Sequence, residues 1–193
     1  MSKILFSILT PSVPERLAKL AALTTRLNLH IGDKPVEHLV LMDNRKRTIG
    51  EKRDALLRAA RGDYVAFVDD DDAVSDDYVS SILNVIHGGP HASGPDVITF
   101  HQRATVNGAE GEIHFGLGNP NEEFKPGDVT KRNAWHVCAW RRALAILSNF
   151  PPVNYGEDWQ FASKLCSLAG LTSVHIPRVL HHYIYSDETT LAK

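Results

Sequence analysis

The stretch that decides the fold covers residues 60–79 and reads ARGDYVAFVDDDDAVSDDYV. Its apolar run, residues 64–68, is bounded by polar residues and has the length of a strand that is buried on both faces. Four consecutive aspartates (residues 69–72, the aspartate run) follow directly, and Ser75 then occupies the position of a helix N-cap. The stretch therefore predicts a buried strand that ends in four carboxylates and is followed by a helix.

Upstream of this stretch, strand-like and helix-like segments alternate. Residues 4–9 and 38–42 are apolar runs that predict strands, and a helix is predicted after each of them. The first helix is predicted to begin at the capping box Ser12-Val13-Pro14-Glu15, and the second covers residues 49–60. The resulting βαβαβα order predicts an α/β fold whose mostly parallel central sheet is flanked by helices.

Polar side chains follow each of the three predicted strands. Thr10 follows the first strand, Asp43 and Asn44 follow the second, and the aspartate run follows the third. Ligands of such sheets bind outside the carboxyl ends of the strands. We therefore expect these residues to border one binding site.

The second half of the chain is less regular. Asn107-Gly108 predicts a hairpin turn, and residues 116–133 are rich in Gly, Asn, Pro and charge, which predicts a long loop. Helices are predicted at residues 141–149 and 157–169, and strands at residues 96–100 and 179–185. The sequence contains no internal repeat and no linker, so a single domain over residues 1–193 is expected.

Composition excludes several classes of protein. The 193 residues carry 21 Lys and Arg against 23 Asp and Glu, a net charge of -2, which gives no support to nucleic-acid binding through phosphates. No run approaches the ~20 apolar residues of a membrane span. Cys138 and Cys166 are too few for a disulfide framework and are expected to be buried thiols. A cytoplasmic protein is expected.

The aspartate run is the strongest chemical signal. Adjacent carboxylates repel one another unless a cation or water screens them, and Mg²⁺ or Mn²⁺ prefers such oxygen ligands. The alternative is a solvated loop that also caps the helix at Ser75. A second acidic pair, Glu157-Asp158, opens the last predicted helix, where it is either a general base or an N-terminal cap.

Basic and histidine residues supply further candidates. Arg45, Lys46 and Arg47, with Lys52 and Arg53, are either an exposed face or a clamp on a diphosphate. Three of the ten histidines, at positions 136, 181 and 182, are candidate ligands, although a single histidine is more often a packing or hydrogen-bonding residue.

Three segments taken together resemble the family 2 glycosyltransferases of GT-A fold, of the small bacterial or phage type. They are ILFSILTPSVPER (4–16), LVLMDNRKRTIGEKRDALLRAARGDYVAFVDDDDAVSDDYV (39–79) and NYGEDWQFASKL (154–165). The resemblance implies a metal-dependent inverting enzyme that moves a hexosyl or pentosyl group from a nucleoside-diphosphate donor to an acceptor hydroxyl.

The resemblance also implies roles for individual residues. Asp69 and Asp71 match the DXD motif that holds the diphosphate-bound Mn²⁺ or Mg²⁺, and His182 is the histidine that fits the metal shell best, with His181 close behind. Asp158 is implied as catalytic base, with Glu157 supporting it. The nucleotide-sugar pocket is implied to contain Thr10, Pro11, Arg16, Asp43, Arg53, Asp69 and Asp70. The resemblance implies that the donor sugar or the acceptor contacts Trp135, His136 and Asp72.

Residues 1–100 are accordingly expected to bind the nucleotide sugar, and residues 101–193 to supply the acceptor and catalytic half. A UDP-sugar is the expected donor, and a glycan, a small molecule or a modified DNA base the expected acceptor. No membrane span is expected. Two alternatives remain open: a nucleotidyltransferase, although the Gly-rich phosphate loop is missing after the first strand, and a non-catalytic nucleotide- or sugar-binding module.

Overall fold

The structure is a computed structural model that describes residues 3–88 and 94–187. Its strands are β1 (Phe6–Ser12), β2 (Val36–Met42), β3 (Tyr64–Phe67), β4 (Ala73–Val74), β5 (Val97–Val106), β6 (Ala109–Phe115), β7 (Val129–Arg132), β8 (Ala139–Arg141) and β9 (Ser173–Tyr185). Its α-helices are α1 (Leu17–Ile31), α2 (Ile49–Ala59), α3 (Tyr78–Gly88), α4 (Arg142–Ser148) and α5 (Glu157–Cys166).

The strands of the described residues join in one sheet, and its amino-terminal part is parallel. β1 pairs in parallel with both β2 and β3, which gives the local order β2-β1-β3. The sheet continues through β8, β5, β6 and β7, while β9 pairs with β5 in parallel and with β4 in antiparallel orientation. The predicted α/β class, with a central sheet flanked by helices, is confirmed.

Apolar layers cover both faces of this sheet. One layer packs Leu23 and Leu27 of α1 with Val79 and Ile82 of α3, and the other packs helices α2, α4 and α5. Because β3 lies between the layers, all four of its residues are buried. This double burial explains why its sequence is continuously apolar.

The exit from β1 differs from its prediction. Ser12 is the last residue of β1 and does not cap a helix; the chain passes through a 3₁₀ turn at Pro14–Arg16 before α1 begins. The Ser12 hydroxyl instead donates to Oδ2 of Asp70 at 2.6 Å. This hydrogen bond to a carboxylate is a strong one, and the pairing of Ser12 with Met42 of β2 keeps its backbone in the strand.

The hairpin prediction in the second half is confirmed, and the loop prediction is corrected. Asn107 and Gly108, with φ of 49° and 82°, connect β5 to β6 in the conformation that a two-residue hairpin requires. The region predicted as a loop contains β7, which pairs in parallel with β6. Its sequence VTKR has no apolar run, so pattern alone does not mark it as a strand.

Two further observations concern the character of the helices and the state of the cysteines. Within residues 3–88 and 94–187, no helix combines the length and the apolar character needed to cross a membrane. Cys138 is buried and Cys166 half-buried, both as free thiols, and burial raises their pKa values to about 12 and about 11.

Candidate active site

A cavity of about 850 Å³ opens at the carboxyl ends of β1 and β3. This is the position where strand order reverses in the β2-β1-β3 arrangement, and where open α/β sheets bind their ligands. One wall is formed by the aspartate run and the other by the start of α5, with β9 closing a side. The sheet therefore brings together carboxylates that lie nearly 90 positions apart in the sequence.

Asp70 is the most firmly held member of the aspartate run. It is buried, accepts the hydrogen bond from Ser12, and accepts a second one at 2.8 Å from Nη1 of Arg16. The same Arg16 nitrogen lies 2.9 Å from Oδ2 of Asp71. Arg16 thus clamps two carboxylates of the aspartate run, and it also lines the cavity.

Asp71 and Asp72 are the two members of the aspartate run whose pKa values are raised. Burial, together with Asp69 and Asp70, raises the pKa of Asp71 against the opposing Arg16 charge. Burial and the carboxylates of Asp69 and Asp71 raise the pKa of Asp72 well above its usual range. These raised pKa values reflect an excess of negative charge in the cluster, which a bound cation would relieve.

Arg53 connects the two walls of the cavity. Its Nη2 donates to Oδ2 of Asp69 at 2.9 Å and its Nε donates to Oε1 of Glu157 at 3.3 Å. The guanidinium stacks over the Phe67 ring, with Cζ 5.2 Å from the ring centroid. Although burial opposes it, the Arg53 charge lowers the pKa of Asp69. Arg53, which the resemblance assigns to the nucleotide pocket, therefore forms hydrogen bonds with both Asp69 and Glu157.

The two carboxylates that open α5 differ in their surroundings. Gly156, at φ 75°, turns the chain so that Glu157 points inward, where it is buried against Arg53, and burial raises its pKa. The Asp158 side chain is 32% exposed and lines the cavity, with Oδ2 3.9 Å from Nδ1 of His136. Both carboxylates line the cavity, and Asp158 is the more exposed of the two.

His136 lies in the segment that leads into β8, and its side chain lines the cavity. Burial and the Arg53 charge lower its pKa to about 4, against the opposing effect of Asp158 and Asp69. Within the described part of the chain its Nδ1 has no hydrogen-bond partner. Trp135 lines the same region. Both residues thus line the cavity, and their contact with donor sugar or acceptor stays a prediction.

The late histidines are separated by the pleat of β9. His181 is buried with Nε2 3.5 Å from Oδ2 of Asp72, and its Nδ1 pairs with the side-chain amide of Gln102. His182 points to the opposite side, where its Nε2 bonds to the hydroxyl of Thr105 at 2.9 Å. Successive strand residues face opposite ways, so only one of the two can approach the aspartates. The structure puts His181 there, and not His182.

Two residues assigned to the nucleotide pocket do not border the cavity. Thr10 is buried in β1, where its hydroxyl donates to the carbonyl of Val68 at 2.7 Å. Asp43 lies 3.1 Å from Nζ of Lys52 and accepts a hydrogen bond from the Arg47 backbone N–H. Thr10 therefore joins strands, and Asp43 positions Lys52. Pro11, a third residue of that assignment, lines the cavity.

Sequence reasoning missed three contributors to this site. Ser12 holds Asp70, Gln102 holds His181, and Tyr183 lines the cavity two positions after His181. The alternation of strand β9 is the signal that could have found Tyr183 and favoured His181. Ser12 and Gln102 act through tertiary contacts that no spacing in the sequence reveals.

The site contains donor atoms of the chemical kinds that a divalent cation binds. Oδ1 of Asp69 and Nε2 of His181 are buried atoms that find no hydrogen-bond partner among residues 3–88 and 94–187. Asp71 and Asp72 add carboxylate oxygens to this side of the cavity. Carboxylate oxygens with one imidazole nitrogen suit Mn²⁺ or Mg²⁺, and substrate phosphates complete such shells.

Comparison with known proteins identifies the family. Residues 28–145, more than half of the chain, match the sequence model described as "Glycosyl transferase family 2". No sequence match was found among curated proteins.

Solved structures show the same fold. S. aureus TarS 1-349 in complex with UDP-GlcNAc aligns with a TM-score of 0.65 at 17% identity, covering 95% of this chain and 59% of that chain. Mannosyltransferase PcManGT from Pyrobaculum calidifontis, in complex with GDP-Man and Mn²⁺, aligns with a TM-score of 0.61 at 12% identity, covering 98% and 59%. The chain spans about 59% of the length of each. With a matching family model and this shared architecture, the chain belongs to glycosyl transferase family 2 and has the GT-A fold.

Proposed function

We propose that the protein is a metal-dependent inverting glycosyltransferase that moves a hexosyl or pentosyl group from a nucleoside-diphosphate sugar to an acceptor hydroxyl. The observation that carries this proposal is the Arg53 bridge between Asp69 and Glu157. It fixes the aspartate run and the start of α5 on facing walls of one cavity. Family membership supports the same reaction class.

The proposed donor is a UDP-sugar. TarS was solved with UDP-GlcNAc and with UDP, whereas PcManGT was solved with GDP-Man and Mn²⁺. In this chain, Pro11 and Arg16 border the nucleotide side of the cavity, and Arg45 and Arg47 add positive charge to its lining. Arginines of this kind neutralise diphosphate oxygens, often through paired hydrogen bonds.

Asp69, Asp71 and His181 are proposed to hold Mn²⁺ or Mg²⁺, with Asp72 beside them. When bound, the ion acts as a Lewis acid that stabilises negative charge on the diphosphate leaving group. Arg53 keeps Asp69 ionised, and Asp70 is proposed to hold Arg16 at the edge of the nucleotide pocket. This assignment replaces His182 with His181 because the two face opposite sides of β9.

Asp158 is proposed as the general base, since it combines cavity exposure with a position opposite the aspartate run. It takes the proton of the acceptor hydroxyl as that oxygen attacks the sugar carbon and the bond to the diphosphate breaks. One such base and no covalent intermediate give inversion. Glu157 is proposed to support this geometry by holding Arg53.

The acceptor is proposed to enter beside Trp135 and His136, which line the same cavity wall as Asp158. On this view residues 1–100 bind the nucleotide sugar and residues 101–193 supply the base and acceptor contacts, as halves of a single domain. A glycan, a small molecule or a modified DNA base would each bring the required hydroxyl.

Asp158→Asn tests the proposal in a donor-turnover assay with UDP- and GDP-sugars and Mn²⁺. The amide preserves shape but takes no proton, so turnover should fall ~10²–10⁴-fold while UDP affinity stays within a few-fold.

Glu157→Gln is the matched control at the same helix end, and it should lose less turnover than Asp158→Asn. If Glu157→Gln is the inactive variant and Asp158→Asn the active one, the proposed roles are reversed. If the unmodified protein binds nucleotide but releases no sugar from any donor, the chain is a binding module and the transferase proposal fails.

A further inference from the structure

A second cluster of metal-ligating side chains lies outside the cavity. It comprises His101 on β5, Glu112 and His114 on β6, and His175 on β9 (the histidine cluster). His101 and His114 are cross-strand partners, so they share one face of the sheet. Gln102 and Ile113, their neighbours in sequence, line the cavity. Because strand residues alternate between faces, the histidine cluster lies on the face opposite the candidate active site.

The ligand atoms of this cluster converge. One ligand atom from each of His101, Glu112 and His114 lies within 4.8 Å of the other two. Nε2 of His175 lies 2.9 Å from Nε2 of His101, and Nε2 of His114 lies 2.9 Å from Oε2 of Glu112. Ligands at 2.0–2.2 Å from one tetrahedral ion are ~3.3–3.6 Å apart, so these separations bracket the spacing that a shared ion requires.

The chemical state of the histidines suits metal binding. The rings of His101 and His114 stack with centroids 3.4 Å apart, an arrangement that two imidazolium ions would disfavour. Neutral imidazoles offer nitrogen lone pairs, and a metal ion requires ligands in that form.

We propose that His101, His114, His175 and Glu112 form a binding site for Zn²⁺ that links strands β6, β5 and β9. Imidazole nitrogens with one carboxylate form a borderline donor set that favours Zn²⁺ over the hard ions Mg²⁺ and Mn²⁺. The carboxylate oxygens of the aspartate run instead favour the hard ions Mg²⁺ and Mn²⁺ over Zn²⁺. The two sites therefore take different ions on opposite faces of one sheet.

Zinc titration of tag-free, chelator-stripped protein tests the site, with a chromophoric chelator as competitor. We expect one Zn²⁺ per chain, no displacement by excess Mg²⁺ or Mn²⁺, and visible ligand-field bands when Co²⁺ is substituted. At 100-fold excess over its Kd, Zn²⁺ should raise the melting temperature by about 5–10 °C.

Single variants His101→Gln and His175→Gln should weaken Zn²⁺ binding at least ~10-fold, and the double variant should abolish the Co²⁺ bands. His87→Gln, on the exposed end of α3, is the matched control and should bind as the unmodified protein does. Far-UV circular dichroism verifies that each variant is folded, and His114→Gln replaces any that is not.

Three outcomes would overturn the proposal. The first is no Zn²⁺ binding at neutral pH, which would leave a hydrogen-bonded cluster only. The second is unchanged affinity in the folded double variant. The third is loss of Zn²⁺ binding in His181→Gln together with full retention in His101→Gln, which would assign the ion to the aspartate run.

Discussion

Arg53 shows how one buried cation organises the candidate site at the scale of a residue. Its side chain is 4% exposed and contacts Asp69, Glu157 and the Phe67 ring. Removing one partner of a buried, hydrogen-bonded charge pair is strongly destabilising because the other charge stays desolvated. Arg53 thus holds the carboxylates of Asp69 and Glu157 in place, independently of any contact it makes with a ligand.

The neighbouring histidines of β9 provide a residue-scale prediction. His181→Gln should remove most of the Mn²⁺-dependent stabilisation by UDP, because only His181 faces Asp72. His182→Gln should keep it, because His182 bonds to Thr105 on the other side of the strand. Differential scanning fluorimetry with UDP and Mn²⁺ measures both.

The melting temperatures of the two variants without ligand are the folding control for that comparison. Equal loss of the ligand-induced shift in both variants, or loss in His182→Gln alone, would contradict the placement of His181 at the metal site.

A second residue-scale prediction concerns pH. Thr10 donates its proton to the Val68 carbonyl, so Nε2 of His38 must be the donor in their 2.9 Å hydrogen bond. Burial lowers the pKa of His38 to about 4. A lowered folded-state pKa means that the unfolded chain binds the proton first, so the contribution of His38 is full above pH 6.5 and is lost as pH falls toward 4.

His38→Gln should therefore flatten the pH dependence of stability. Between pH 7 and pH 4 the unmodified protein should lose on the order of 2–3 kcal/mol more than the variant, measured as the free energy of unfolding in urea. Parallel pH profiles of the two proteins would show that His38 does not titrate with unfolding.

At the scale of elements, the packing of α2 against the segment before α5 fixes both walls of the cavity. α2 carries Lys52 and Arg53, and the Thr48–Glu51 capping box sets its start. The Gly50 N–H donates to the Val153 carbonyl at 3.1 Å. A Cβ at position 50 would lie 1.8 Å from the Pro151 carbonyl oxygen. Gly50 is therefore required for close approach, although glycine is a poor helix former.

Gly50→Ala should destabilise the protein by about 1–3 kcal/mol through overpacking, despite the ~1 kcal/mol that alanine gains in an unconstrained helix. Chemical denaturation measures the change. Gly88→Ala, near the end of α3 with no atom within 4 Å of its added Cβ, is the control and should be neutral or stabilising. Similar effects of both substitutions would argue against the α2 contact.

At the scale of the whole molecule, the cavity draws its walls from both halves of the chain. The aspartate run follows β3, Asp158 opens α5, and Tyr183 comes from β9. A ligand in this cavity contacts segments that are far apart in sequence, so its binding free energy adds to the stability of the entire fold.

UDP should accordingly raise the melting temperature by about 5–10 °C at 100-fold excess over its Kd when Mn²⁺ is present. Without a divalent ion the aspartate run repels the diphosphate, so the shift should vanish in EDTA. Asp71→Ala should abolish the Mn²⁺-dependent shift. A UDP shift of equal size in EDTA and in Mn²⁺ would reject the proposed metal bridge.

The sequence by itself determined the α/β order, the hairpin at Asn107-Gly108 and the position of the aspartate run at the carboxyl end of β3. These features follow from local patterns: apolar runs, turn residues and the geometry of parallel strands. The strand β7 escaped prediction because its short polar sequence becomes a strand only by pairing with β6.

Only the tertiary structure decided which residues of the candidate site meet. The pleat of β9 turns His181 toward Asp72 and His182 toward Thr105, and the fold joins Arg53 to Asp69 and Glu157. It also turns Thr10 into a link between strands and gathers the histidine cluster on the opposite face. Sequence patterns report periodicity along one segment, whereas these contacts depend on the register and packing between segments.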